Sequence, residues 1–370
     1  MSQPQASAIE GMTWLAPAHQ ALAALRARGG HALLLHGPSG TGKWDLAMAY
    51  AADVLCENPT GAGRACGACT SCRLGAAGNH PDLRVVVPDA LAARRPAGGS
   101  EPDEGNGAPA EPAAGKAKPS REIKIDQVRE LLPLFTVSAH RGGARVVVLG
   151  PAESLNLPAA NALLKVLEEP PPDGLFLLVA DQIDRCLPTI LSRCAPVRVV
   201  LPRLDAALDW LQTQGLDRAA GAARLIEAGG APLAALHGAA DVLDAPTRAL
   251  LLGLLRRGRS LGAADVVGEV PRTVPIGPAV DLFQRWAWDY FSYRAGGGLR
   301  YHPEEGAAFA ALVEDWHPLA AGAWASRLQQ LRAVAEHPLN PRAAIEGMLL
   351  DYVAALQGSG ASGDPPRMAQ

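Results

Sequence analysis

The alternation of apolar and polar positions divides the chain into two regimes. Between residues 31 and 200, short apolar runs alternate with stretches of helical spacing; beyond Pro202 only helical spacing remains. Strands are predicted at Ala32 to Leu35, Leu83 to Val87, Arg145 to Leu149, Leu175 to Ala180 and Val197 to Val200. Arg145 to Leu149 is continuous in its apolar character, as strands covered on both faces are. Helices are predicted at Trp14 to Arg28, at Trp44 to Val54, and from Ile125 through Val128, Leu131 and Leu132 before a turn at Arg141-Gly142-Gly143. Another is opened by Asn156 and Pro158, runs through Asn161 to Glu169 and is ended by Pro170-Pro171-Pro172. The pattern is that of an α/β fold, a parallel sheet with helices on both faces.

The second regime starts with Leu204, Leu208 and Leu211 on one helix, residues 217 to 228 on a second, and a third after Gly229-Gly230. That is a three-helix unit ending near Ala245. Leu250 to Arg257, Val280 to Arg294, Trp324 to Glu336 and Ala343 to Gln357 then carry helical spacing. Pro88 to Ser120 is rich in Ala, Pro, Gly and Glu without periodicity, and is expected to be a disordered insertion. Gly358 to Gln370 reads as a frayed tail. The expected domains are therefore 1–202, with the insertion at 88–120, a helical lid at 203–245, a helical domain at 246–358 and a tail at 359–370.

Composition narrows the function. A formal net charge of −3 supplies no bulk attraction to nucleic acid, so DNA binding by this chain alone is not supported. Met1 to Thr13 lacks the apolar core of a signal peptide, and no apolar run is long enough to cross a bilayer. A soluble cytoplasmic protein without a membrane partner is expected.

Between the first strand and its helix lies Gly37-Pro38-Ser39-Gly40-Thr41-Gly42-Lys43-Trp44, with Gly and Lys at phosphate-loop spacing. Gly37, Gly40 and Gly42 let backbone N–H groups converge on a phosphate at a helix start, Thr41 lies within the loop, and Lys43 adds a point charge. The next position should offer Mg²⁺ a hydroxyl; here it is Trp44. The strand Arg145 to Leu149 should end in an acid for Mg²⁺ and a carboxylate that activates water. It ends in Gly150-Pro151-Ala152-Glu153, with Glu153 late in the turn. Two readings of Lys43 remain, residual nucleotide binding and a relic loop kept by strand–helix packing, and the second is favoured.

Cys56, Cys66, Cys69 and Cys72 follow within a module at 55–75, while Cys186 and Cys194 stand apart. Two consecutive C-x2-C steps in a reducing compartment point to a closed four-thiolate site, the geometry of structural zinc. Phe283, Trp286, Trp288, Tyr290 and Phe291 could form a base-stacking platform, but since no basic cluster accompanies the run they are expected to line a helical core.

Taken in order, the phosphate loop, the four cysteines, Asn79-His80-Pro81-Asp82, Asn161-Ala162-Leu163-Leu164-Lys165 through Glu168-Glu169-Pro170-Pro171, and Ser192-Arg193-Cys194 resemble the bacterial AAA+ clamp-loader subunits of DNA polymerase III. The resemblance covers nearly the whole length apart from the insertion and both ends. It implies an AAA+ core, a lid, and a C-terminal collar that joins a pentameric assembly. It further implies gamma/tau motor subunits and a delta subunit as partners, with the sliding clamp and primed DNA engaged through the complex. Trp44, Gly150-Pro151, and Leu233 near the place of a lid arginine mark a non-motor member, without ATPase in cis. Arg193 is then expected to act as an arginine finger toward the nucleotide of a neighbour. Two alternatives are an ATP-hydrolysing gamma/tau-type motor and a zinc-containing AAA-like binding module outside replication.

Overall fold

The computed structural model describes residues 9–92, 119–131, 143–237, 243–271, 273–334 and 340–358. Most of the expected insertion, the tail, Leu132, Arg141-Gly142 and the end of the helix expected to Glu336 lie outside the described residues. Two compact units are formed, one by residues 1–221 with 230–236 and the other by 222–229 with 237–370.

The first unit is built on a parallel sheet in the order β2-β3-β4-β1-β5, comprising β1 (Ala32–His36), β2 (Leu83–Val86), β3 (Arg145–Leu149), β4 (Gly174–Ala180) and β5 (Ala195–Arg198). The AAA+ expectation of a parallel α/β core is met. Every residue of β3 and β4 is buried, which explains the apolar run that follows Arg145 in β3 and fills β4; Arg145 itself donates to Pro172 O at 2.6 Å. Edge strand β2 buries only its two end residues. The last strand starts two residues earlier than expected, with Pro196 paired opposite Leu34. Proline lacks the N–H for a ladder, and an edge strand is where a sheet tolerates it.

Around the sheet lie α1 (Ala16–Ala27), α2 (Lys43–Leu55), α3 (Thr70–Ala76), α4 (Asp89–Ala92), α5 (Ile125–Arg129), α6 (Leu157–Glu168) and α7 (Pro188–Leu191). Helix α4 occupies the start of the expected insertion. Asn156 caps α6 by accepting from the Ala159 N–H at 3.0 Å, and Pro158 sits in its first turn. The three helices expected after Pro202 are α8 (Leu204–Thr213), α9 (Arg218–Glu227) and α10 (Pro232–His237).

The second unit contains α11 (Ala245–Arg256), α12 (Ala263–Glu269), α13 (Ile276–Arg294), α14 (Gly306–Asp315), α15 (Pro318–Val334) and α16 (Pro341–Leu356). Its core is aromatic: Phe283, Trp286, Tyr290, Trp316, Trp324 and Tyr352 are fully buried. Two polar tips inside that core are satisfied, Trp324 Nε1 donating to Met348 O and Tyr352 Oη to Leu255 O, both at 2.9 Å, whereas the buried Nε1 atoms of Trp286 and Trp316 have no hydrogen-bond partner among the described residues. The expectation for the aromatic run needs one correction. Trp288 and Phe291 point outward, 44% and 37% exposed, because a helix that buries residues 283, 286 and 290 turns 288 and 291 away.

Candidate functional site

The phosphate loop lies between the carboxyl end of β1 and the start of α2, where open α/β sheets place their ligands. Its glycines are sterically required. A Cβ on Gly37 would lie 2.1 Å from Val199 O, and Gly40 and Gly42 have φ of 73° and 93°. Thr41 is fully buried, its Oγ1 donating to Pro38 O at 2.9 Å and its carbonyl accepting from Trp14 Nε1 at 2.9 Å.

Lys43 does not project a free cation. It is 3% exposed; its Nζ lies 2.7 Å from Asp181 Oδ1 and donates to Pro38 O at 2.6 Å. Asp181 follows directly on β4, so the sheet itself carries the carboxylate to the lysine. Residues 230–236 close over the loop from another side: Leu233 N donates to Gly40 O at 3.0 Å, and a Cβ on Gly40 would lie 2.8 Å from that of Ala234.

The cavity beside Lys43 holds about 330 Å³ and is lined by Trp44, Val87, Leu91, Pro151, Val179 and Leu233, besides loop residues and Asp181. The magnesium side of a working nucleotide site needs oxygen ligands. Here Trp44 and Gly150-Pro151 supply apolar surface instead. Glu153 does not line the cavity, and its Oε1 accepts from the N–H groups of Asp181 and Gln182, each at 3.0 Å. Burial pushes its carboxyl above the ordinary range.

Arg193 stands elsewhere, past the end of α7, and does not line this cavity. Its guanidinium pairs with Glu168 at the end of α6 and donates to Thr189 O and Ser192 Oγ, each at 3.1 Å. The side chain is 34% exposed. The neighbouring Cys194, like Cys186, is buried in the sheet's core, where burial pushes both thiols up to about 12 and leaves them protonated.

Cys56 caps the end of α2, and Cys66, Cys69 and Cys72 converge on it. Their sulfurs all lie within 4.8 Å of one another, at 3.9 Å for 56–69, 4.0 Å for 66–72 and 3.7 Å for 56–72. Zn–S bonds of about 2.3 Å give a thiolate tetrahedron with edges of about 3.8 Å, so the four sulfurs fit the ion. Amides of Cys66, Cys69 and Cys72 point at the sulfurs of Cys56, Cys66 and Cys69 at 3.3 to 3.4 Å. At Cys69 burial opposes ionisation, but hydrogen bonds from Cys72, Glu57 and Cys66 bring the thiol down to about 6. Behind the cluster, Asp53 of α2 is buried and joins three segments. Its carboxylate meets His19 Nε2 at 2.7 Å, Arg64 Nε at 3.1 Å and the Ala65 N–H at 2.6 Å.

Asp181 and Asp53 are absent from the sequence reading, and Glu168 enters it only as part of the Glu168-Glu169-Pro170-Pro171 motif, not as the partner of Arg193. Asp181 alone had a local signal, an acid placed at the carboxyl end of an apolar strand. His80 and Asp82 are buried in the turn into β2, where the Asp82 N–H donates to His80 Nδ1 at 3.1 Å.

A parallel sheet in the order β2-β3-β4-β1-β5 with a phosphate loop after β1, followed by helical regions, defines an AAA+ fold. A family model described as "DNA polymerase III, delta subunit" matches residues 20–202. A DNA polymerase III subunit delta' from Pseudomonas aeruginosa is 38% identical over 291 residues, covering 78% of each chain. The Yersinia pestis protein of that name is 37% identical over 320 residues, covering 84% of this chain and 79% of the relative. A solved gamma-subunit-related protein from Thermotoga maritima aligns at 18% identity and a TM-score of 0.39, over 88% of this chain and 95% of the other. The chain belongs to the DNA polymerase III subunit delta' family.

Proposed function

We propose that this chain is the non-motor subunit of the DNA polymerase III clamp loader, working in the cytoplasm beside gamma/tau motor subunits and a delta subunit. Together they would open the sliding clamp and place it on primed DNA. The observation that carries this reading is the separation of two cations. Lys43, the one at the chain's own phosphate loop, is tied to Asp181. Arg193 stands outside that cavity on a partly exposed edge, held by a carboxylate that a phosphate can replace. Exposed pairs of this kind are worth about 0–1 kcal/mol, so a neighbour's nucleotide can draw Arg193 away at small cost. In this role Arg193 is an arginine finger acting in trans, a fork of donors that steadies charge on a transferring phosphoryl group.

The rest of the chain serves that placement. Cys56, Cys66, Cys69 and Cys72 hold a structural zinc with no open position. The core at 1–202, the lid at 203–245 and the collar at 246–358 form a comparatively rigid wall of the assembly. Turnover by the chain itself is negligible, because neither Trp44 nor Gly150-Pro151 can hold magnesium or activate water.

The test is reconstitution with the motor and delta subunits. Arg193→Ala should assemble normally and lower DNA-stimulated ATP turnover at least tenfold at the site it completes. Unchanged turnover by a fully assembled loader would reject the finger role. Motor-like turnover by the isolated parent chain would reject the non-motor role.

A further inference from the structure

The outward aromatics of α13 belong to a larger arrangement. Arg285, Trp288, Phe291 and Arg294 follow one another at i, i+3 steps, an inclined ridge on the helix surface with a cation at each end and two rings between. The loop after the helix completes it. The buried Asp289 carboxylate accepts from the N–H groups of Arg300 at 2.8 Å, Tyr301 at 3.1 Å and His302 at 2.8 Å, drawing that loop back onto α13. Tyr301 is thereby set edge-on to Trp288, with ring centroids 5.5 Å apart. The Arg300 guanidinium lies 5.9 Å from the Trp288 centroid and 5.5 Å from that of Tyr301. Arg300 and Arg294 hydrogen-bond main-chain carbonyls, those of Gly229 and Val313, which leave their positive charge in place. Arg285 is the half-buried end; it stacks on Tyr301 and faces Asp281 and Glu227. The exposed cations are therefore Arg300 and Arg294, flanking two rings that are 44% and 37% exposed.

We propose that this ridge binds single-stranded nucleic acid, with bases stacked on Trp288 and Phe291 and phosphates on Arg300 and Arg294. Base faces match open aromatic rings whatever the sequence, and guanidinium groups match phosphates. From Trp288 to Arg294 the helix rises about 9 Å, the length of two or three stacked nucleotides at about 3.4 Å each. An acidic peptide would answer the cations and leave the rings uncovered. The overall charge of −3 limits the attraction to this patch, so binding is weak and strongest at low salt. The inference does not depend on Arg193 or on any neighbouring subunit.

The test titrates the full chain into a fluorescently labelled oligothymidylate, read by anisotropy at low and physiological salt. Salt-sensitive binding is expected, weakened about tenfold by Trp288→Ala and by Arg300→Glu, and retained by Trp288→Phe, with far-UV circular dichroism unchanged. No binding at low salt would overturn the proposal. So would binding indifferent to both variants, which would move the site to another surface. Displacement of the oligonucleotide by polyglutamate as effectively as by unlabelled oligothymidylate would also overturn it, assigning the ridge to an acidic polypeptide.

Discussion

Asp181 meets Lys43 where phosphate oxygens meet the lysine of a working phosphate loop, Oδ1 to Nζ at 2.7 Å. The carboxylate competes with any anion that approaches. Asp181→Asn removes the competing charge and leaves a buried cation with only neutral oxygen partners. Inorganic triphosphate should therefore raise the melting temperature of this variant more than that of the parent, while phosphate release stays at background. A melting temperature equally indifferent to triphosphate in both proteins would show that something other than the ion pair keeps anions out.

The two losses on the magnesium side are sterically coupled. A Cβ on Gly150 would lie 3.3 Å from Trp44 Cζ3, and 3.0 Å from both Cβ and O of Val179. A carboxylate at 150 thus collides with the indole that replaced the hydroxyl. Trp44→Thr alone should restore no turnover, since Gly150-Pro151 still leaves the end of β3 without an acid. Gly150→Asp alone should destabilise by about 2–3 kcal/mol, and less in the Trp44→Thr background. Denaturant melts of the four proteins in a double-mutant cycle check this; contacting residues usually show a coupling of about 0.5–3 kcal/mol. Strict additivity would mean that the two positions do not sense each other.

How far these features could be read beforehand depends on whether their signal is local. The cysteine cluster was legible because four thiols fall on a short segment at a spacing that suits zinc. Strands β3 and β4 were legible because burial on both faces leaves an unbroken apolar run. The pairs Lys43–Asp181 and Arg193–Glu168 were not, since only the fold brings their partners together. Helices α12 and α14 went unread for another reason: one is short, and the other, Gly-Ala-Ala-Phe-Ala-Ala-Leu, offers alanines that fit a helix without marking a face. The start of α11 was missed although Asp244 caps it, accepting from the Thr247 N–H at 3.2 Å, with Pro246 in the first turn. Helical spacing also identified the aromatic run without saying which rings faced inward.

Asp53 ties the cysteine module to α1 and α2 through His19, Arg64 and the Ala65 N–H. Asp53→Ala leaves these partners without their acceptor, and the expected cost is about 2–4 kcal/mol. Zinc and Asp53 should reinforce each other, because both hold the segment between Cys56 and Cys72 against α2. A chelator should therefore lower the melting temperature of the parent clearly and release the metal from Asp53→Ala faster. Zinc release monitored with a colorimetric chelator checks the second point; equal release rates would separate the module from its buttress.

Asp289 plays the corresponding part in the second unit, with consequences for both stability and surface. It is fully buried, and its carboxylate serves three successive amides and His302 Nδ1, the last at 2.9 Å. Asp289→Ala removes every acceptor at once and leaves buried donors unpaired, a loss of about 3–5 kcal/mol. Asp289→Asn keeps one acceptor oxygen but places an amide N–H₂ against donors, so an intermediate loss of about 2 kcal/mol is expected. Because Arg300 and Tyr301 reach Trp288 only while this loop is drawn back, even the folded Asn variant should lose much of its oligothymidylate binding. Urea titrations give the stability order parent, Asn, Ala. Anisotropy on the Asn protein, under conditions where it is fully folded, then separates the two effects. Parent-like affinity there would mean that the loop does not organise the ridge.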